Sequence, residues 1–214
     1  MTTTISVYSD LACPWAFVAV HRLRRARDTH ALDVVFDQRA WPLEWVNESG
    51  TPRHIVEAES AVLAQHEPEL FSRFQGASWP STRLPAFELV AAARRAYGLR
   101  AAEDVDYHLR LRFFRDSADV SLRHELRQVL AEAGLDADAV LDVWQSEPVR
   151  ADIVADYVRS QELPLQGSPQ IFWPDGSTTH NPGMTDHAWV RGIPRIGRVD
   201  PDEPARLLLN HAAG

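Results

Sequence analysis

A single cysteine, Cys13, among 214 residues constrains this chain more than any other feature. One thiol forms no intramolecular disulfide, so a disulfide framework is excluded, and so is a Cys-rich zinc site. A packed core must hold the fold instead. A chain of this length buries enough for one substantial domain, or for a domain carrying an inserted subdomain. The 45% hydrophobic and 24% charged residues are ordinary for a globular protein and suggest neither disorder nor a membrane span. All 22 basic residues are arginine, which removes any Schiff-base or lysine general-base mechanism.

A formal charge of -8 argues against a nucleic-acid partner, because phosphate binding needs clustered cations that release counterions. Arg22, Arg24, Arg25 and Arg27 are the nearest approach to such a cluster and read as a solvated helix face. Met1-Thr2-Thr3-Thr4-Ile5 lacks the basic stretch and apolar core of a secretory signal, so a cytoplasmic chain without a membrane partner is expected.

The first forty residues read as strand, helix, strand. Ile5-Ser6-Val7-Tyr8 alternates, Ser9-Asp10-Leu11-Ala12 forms a loop, and Pro14 suits the first helical position, where its missing N–H costs nothing. That helix should reach about Arg27, with Val34-Val35-Phe36 as the second strand of a parallel crossover. From residue 52 to 162 strand patterns give way to five or six helices. One runs from Leu84 to Tyr97 and stops at Gly98, one is capped by Ser121 and ends at Gly134, one is capped by Asp136, and one is opened by Pro148. After Gly167 strands return: Gln170-Ile171-Phe172-Trp173 and Ser177-Thr178-Thr179-His180 flank the turn Pro174-Asp175-Gly176. Leu207-Leu208-Leu209 could pack a final helix. The expected division is therefore 1–51 with 163–214 as one β-rich domain, and 52–162 as a helical insertion.

A cysteine just before a helix lies near unpaired backbone N–H groups and the positive end of the helix dipole, which favours thiolate. Asp10 nearby acts the other way, and His21, two turns along, is too far to help. Considered only as a residue type, a free cysteine is more often an inert buried hydrophobe.

The segment Tyr8-Ser9-Asp10-Leu11-Ala12-Cys13-Pro14-Trp15 resembles the active site of the DsbA family, and of its cytoplasmic FrnE-like branch in particular, with Ala16 in place of the second cysteine of Cys-Pro-Trp-Cys. The resemblance extends over nearly the whole chain. It implies an α/β class, a thioredoxin fold with an inserted all-helical subdomain. Leu165-Gln166-Gly167-Ser168-Pro169-Gln170-Ile171-Phe172 is similar to the family's Gly-Val-Pro loop, which implies a cis bond before Pro169 and a loop facing Cys13. By the same resemblance Cys13 is the catalytic residue, and Pro14, Trp15, Ser168 and Pro169 bind substrate. Trp41-Pro42-Leu43 and Ser81-Thr82-Arg83-Leu84-Pro85-Ala86-Phe87 match the family more loosely, with Phe87 where histidine is frequent. Trp15, Trp41, Trp45 and Trp79 are either core residues or an aromatic rim.

Other chemistries lack their motifs. The nine histidines include no His-Glu-x-x-His pair, and the nearest grouping, His180, Asp186 and His187, lacks metal-ligand spacing, so no metal is expected. Phosphate-cradling Gly-rich loops and a Gly-x-Ser-x-Gly elbow are absent too.

Dithiol exchange needs a second thiol to release the mixed disulfide, and this chain has none. Three functions remain open. The first is a monothiol oxidoreductase whose mixed disulfide at Cys13, with a protein or a small thiol, is resolved by an external thiol. The second is an isomerase or transferase using glutathione or mycothiol, as in the related 2-hydroxychromene-2-carboxylate isomerases and kappa-class glutathione transferases, where serine commonly replaces the cysteine. The third is a degenerate binding module. No tightly bound cofactor is expected; glutathione or mycothiol would be a co-substrate. The sequence leaves substrate and oligomeric state open.

Overall fold

The computed structural model describes residues 2–212. Strand β1 (Thr3–Ser9) is central in a four-stranded sheet of order β2-β1-β3-β4, where β2 is Val34–Ala40, β3 Gln170–Phe172 and β4 Thr178–His180. β1 runs parallel to β2 and antiparallel to β3, and β3 is antiparallel to β4. Helix α1 (Pro14–Thr29) supplies the crossover connection that the parallel neighbours β1 and β2 require. On one sheet face Ile5, Val7, Phe36 and Ile171 meet Val20, Leu23 and Ala26 of α1, and Leu208 of the C-terminal helix α9 (Glu203–Ala212) closes the layer. Truncating the fully buried Leu208 to alanine would cost about 2–5 kcal/mol.

Between β2 and β3 lie α2 (Leu43–Val46), α3 (Arg53–Leu63), a 3-10 turn Pro68–Leu70, α4 (Leu84–Tyr97), α5 (Leu99–Arg110), a π-helical segment Leu111–Arg115, α6 (Arg123–Glu132), α7 (Ala137–Ser146) and α8 (Arg150–Ser160). Gly98, at φ +86°, ends α4 and opens α5, a conformation that disfavours any residue with a side chain. The helices share a core with α1: Ala16, Phe17 and Val18 pack in the same cluster as Leu89, Leu109 and Phe114. The α/β class with helices interrupting the sheet is therefore the observed architecture. No helix of the described residues is long and apolar enough to cross a membrane.

Several local expectations need correction. Ser121 caps no helix, because its N–H and hydroxyl both bond Asp119, and α6 starts two residues later behind Leu122. Asp136 does cap α7, accepting from the N–H groups of Asp138 and Ala139. Pro148 precedes α8 by two residues rather than opening it. α1 continues to Thr29, and β2 to Ala40. A separate antiparallel hairpin, β5 (Asp186–Val190) with β6 (Ile193–Arg198), was hidden by the prolines of that segment. Of the arginines of α1 only Arg25 faces solvent. Arg22 and Arg27 are buried, and Glu67 and Glu103 neutralise them: Arg22 pairs with Glu67 at 2.5 Å, Arg24 with Glu103 at 2.6 Å, and Arg27 also contacts Glu103. Pairing across elements, invisible in linear charge patterns, is what makes such burial tolerable.

Candidate active site

The segment from Ser9 to Cys13 leaves the sheet, turns, and enters α1. Cys13 is the N-cap, in extended conformation, and Pro14 occupies the first helical position. The turn is set by Asp10, whose carboxylate accepts from Ala12 N–H at 2.7 Å and from Leu43 N–H at 2.8 Å, while its carbonyl accepts from Cys13 N–H.

Opposite this turn, before β3, the Ser168–Pro169 bond is cis. The Cys13 thiol donates to the Ser168 carbonyl at 3.2 Å, and the Ser168 hydroxyl accepts from Asp10 N–H at 3.0 Å. The Pro169 carbonyl accepts from Asn181 N–H and hydrogen-bonds His180 Nδ1 at 2.9 Å. The tertiary fold thus brings Cys13, Ser168 and Pro169 together, from opposite ends of the chain. Pro14 is buried at the helix start, and the Trp15 ring turns aside to stack on His187, centroids 4.6 Å apart. Trp45 packs edge-on against Tyr157, and Trp79 against Phe74 and Phe113.

Two residues that the sequence reading missed complete the frame. Arg110, fully buried at the end of α5, donates to the Asp10 carbonyl and to the Ser9 hydroxyl, and pairs with Asp106 through two contacts of 2.8 and 3.0 Å. Its signal was the i, i+4 spacing of Asp106 and Arg110, which resembles any surface ion pair. Arg110 thus gives the site polar support from the helical insertion, whereas position 87 holds the buried, apolar Phe87.

Electrostatics favour the thiol. Burial pushes Cys13 up to about 12, the charges of Glu59 and Asp10 add to the rise, and the Ser168 hydroxyl and Ala16 N–H oppose it. At 6% exposure the sulfur has lost the water that a thiolate needs, and this outweighs the helix dipole. Burial also raises Asp10, against Arg83 and the two N–H donors, and raises Glu59. His180 is held below the ordinary histidine range by burial.

No metal cluster forms at His180, Asp186 and His187; the first and last rings instead bond the carbonyls of Pro169 and Met184. Among the described residues one group, His21, Glu67 and Glu69, brings three ligand atoms within 4.8 Å. Arg22 and Arg25 already neutralise Glu67, so the site does not suit a cation.

The DSBA-like thioredoxin domain profile matches residues 4–188. Curated proteins yield no sequence match. Solved structures similar to this chain include a candidate protein disulfide isomerase from Nitrosomonas europaea, 13% identical, with a TM-score of 0.69 over 98% of this chain and 97% of that one. The cytosolic disulfide reductase DsbM from Pseudomonas aeruginosa, solved with GSH, is 18% identical, with a TM-score of 0.63 over 99% and 100%. A 2-hydroxychromene-2-carboxylate isomerase is 15% identical, with a TM-score of 0.60 over 82% and 87%. At such identities these structures share a fold with this chain, whereas the profile spans most of its length: the chain belongs to the DSBA-like thioredoxin domain family.

Proposed function

We propose that this protein is a monothiol thiol-disulfide oxidoreductase that works in the reducing direction. The observation that carries the reading is the placement of the sole sulfur, Cys13 Sγ, 3.2 Å from the Ser168 carbonyl beside Pro169. That backbone edge offers an extended partner for a disulfide-bearing peptide or a small thiol conjugate, with Pro14 and Trp15 bordering the sulfur. The Cys13 thiolate attacks a disulfide R–S–S–R, giving Cys13–S–S–R and R–S⁻, and its proton passes to water. An external thiolate then attacks the R sulfur, carries it away as a new disulfide, and Cys13 regains a proton. Glutathione or mycothiol suits the second step. A sulfur with a raised pKa is a strong nucleophile once ionised and a poor leaving group, so the attack on the disulfide is helped and release by the external thiolate is the slower step.

The same reading takes residues 1–51 and 163–214 as the thioredoxin-like domain and 52–162 as its helical insertion. It puts the chain in the cytoplasm, where small thiols are kept reduced.

Incubation with oxidised glutathione at pH 7 and pH 9.5, followed by intact mass measurement, tests it. One glutathione adduct, lost in Cys13→Ser and released by fresh reduced glutathione, is expected. Absence of the adduct at both pH values overturns the proposal.

The proton on Cys13 favours a second reading. A thiol kept protonated to about 12 can donate a hydrogen bond to the thiolate of a bound small-thiol cofactor. Non-covalent glutathione binding that survives in Cys13→Ser, without adduct, would select it.

A further inference from the structure

We propose that a cavity between α3, the Phe71–Phe74 stretch and the π-helical segment binds a small aromatic monocarboxylate. The cavity measures about 540 Å³, within the range of small-ligand pockets, and neither Cys13, Ser168 nor Pro169 lines it.

Its floor is aromatic. Phe71, Phe74, Phe113 and Phe114 are joined there by Trp79, whose ring centroid lies 4.8 Å from that of Phe74 and 5.1 Å from that of Phe113. The backbone explains how neighbouring residues both reach it. In the wide π turn of Leu111–Arg115, consecutive residues are rotated less than in an α-helix, so Phe113 and Phe114 face one side together. Such insertions weaken the hydrogen-bond ladder and recur at functional sites. The facing wall is built of Ser60 and Ala61 of α3 and of Ala64 just after it, small residues that leave room for a ring.

Charge at the mouth determines the polar end of the ligand. Arg53 lies 5.2 Å over both the Phe74 and Trp79 rings and pairs with Glu57, the one acid of the lining, at 2.9 Å. Arg73 stands at the same rim, exposed, with no ion pair among the described residues. Two guanidiniums against one carboxylate leave a net positive charge, and a planar carboxylate fits the free Arg73 fork through paired hydrogen bonds. The floor also touches the Cys13 helix: Phe17 stacks on Phe114 with centroids 5.3 Å apart and meets Phe71 edge-on at 5.7 Å.

Calorimetric titration of the full chain with 2-naphthoate, and with 2-naphthalenemethanol as its neutral counterpart, tests the proposal. One naphthoate per chain is expected, bound more tightly than the alcohol. Arg73→Gln should weaken naphthoate by about tenfold and leave the alcohol unchanged, a loss typical of a charge-assisted hydrogen bond. Ala61→Phe, at an exposed helix position, should fill the cavity and abolish both, whereas Cys13→Ser should alter neither. As a check independent of the filling variant, the indole N–H resonance of Trp79, identified by its loss in Trp79→Phe, should shift on titration. Equal affinity for acid and alcohol, no saturable binding, an unmoved Trp79 signal, or loss of binding in Cys13→Ser would each overturn it.

Discussion

Arg110 Nη1 donates to the carbonyl oxygen of Asp10 at 3.0 Å, so a side chain from the helical insertion grips the backbone three residues before Cys13. The guanidinium is fully buried, its charge met by Asp106, and its remaining reach goes to the Ser9 hydroxyl. The turn that delivers the sulfur to Ser168 therefore depends on a residue nearly a hundred positions away in sequence.

Removing Arg110 should be expensive. Arg110→Met leaves Asp106 buried and uncompensated, and a loss of about 3–5 kcal/mol is expected in urea unfolding. The double variant Arg110→Met with Asp106→Leu removes both charges and should recover part of that loss. If the double variant is as unstable as the sum of the two single ones, the pair is not the coupled unit described here.

Cys13 should make stability pH-dependent in the alkaline range. The native thiol holds its proton to about 12, against 9.0 for an ordinary thiol, so above pH 9 unfolding releases a proton. Stability contributed by the protonated native thiol is complete below pH 9 and is lost as pH rises towards 12. By pH 10.5 the wild type should lose about 2 kcal/mol relative to Cys13→Ser, which has no group to ionise there. Parallel pH curves for the two proteins would contradict the burial assigned to the sulfur. Glu59→Gln keeps the shape of a residue whose charge raises Cys13, and should move the midpoint of iodoacetamide labelling downwards.

Ala16→Cys restores a second thiol one helical turn from the first. The position is fully buried, so the added sulfur should cost about 1–3 kcal/mol in packing. Reduction of insulin by dithiol chemistry, absent in the wild type, should appear in this variant. A stable, folded variant without that activity would show that the surroundings of Cys13 have diverged beyond the loss of one cysteine.

Much of the frame was legible locally. Alternation placed β1, Pro14 marked the start of α1, Gly98 and Asp136 punctuated the helices, and Asp175-Gly176 turned the β3–β4 hairpin, with Gly176 at φ +85°. The β5–β6 hairpin was not legible, because its register rests on pairing between two short, mostly exposed strands interrupted by Pro194, with little alternation of burial to read. Ser121 misled because its hydroxyl had a nearer partner in Asp119. The arginines of α1 misled because their acids, Glu67 and Glu103, come from other elements.

By itself the sequence determined that there is one thiol, that it precedes a helix beginning at Pro14, and that no intramolecular disulfide can ever form. These follow from composition and from interactions reaching only a few residues. The protonation of that thiol was decided by tertiary structure alone. Burial by the surrounding segments raises the Cys13 pKa most, the charge of Glu59 on α3 adds to the rise, and the Ser168 hydroxyl from the loop before β3 opposes it. Helix-dipole logic favoured a thiolate at Cys13, but the dipole acts within a single turn, and exclusion of water by distant segments outweighs it.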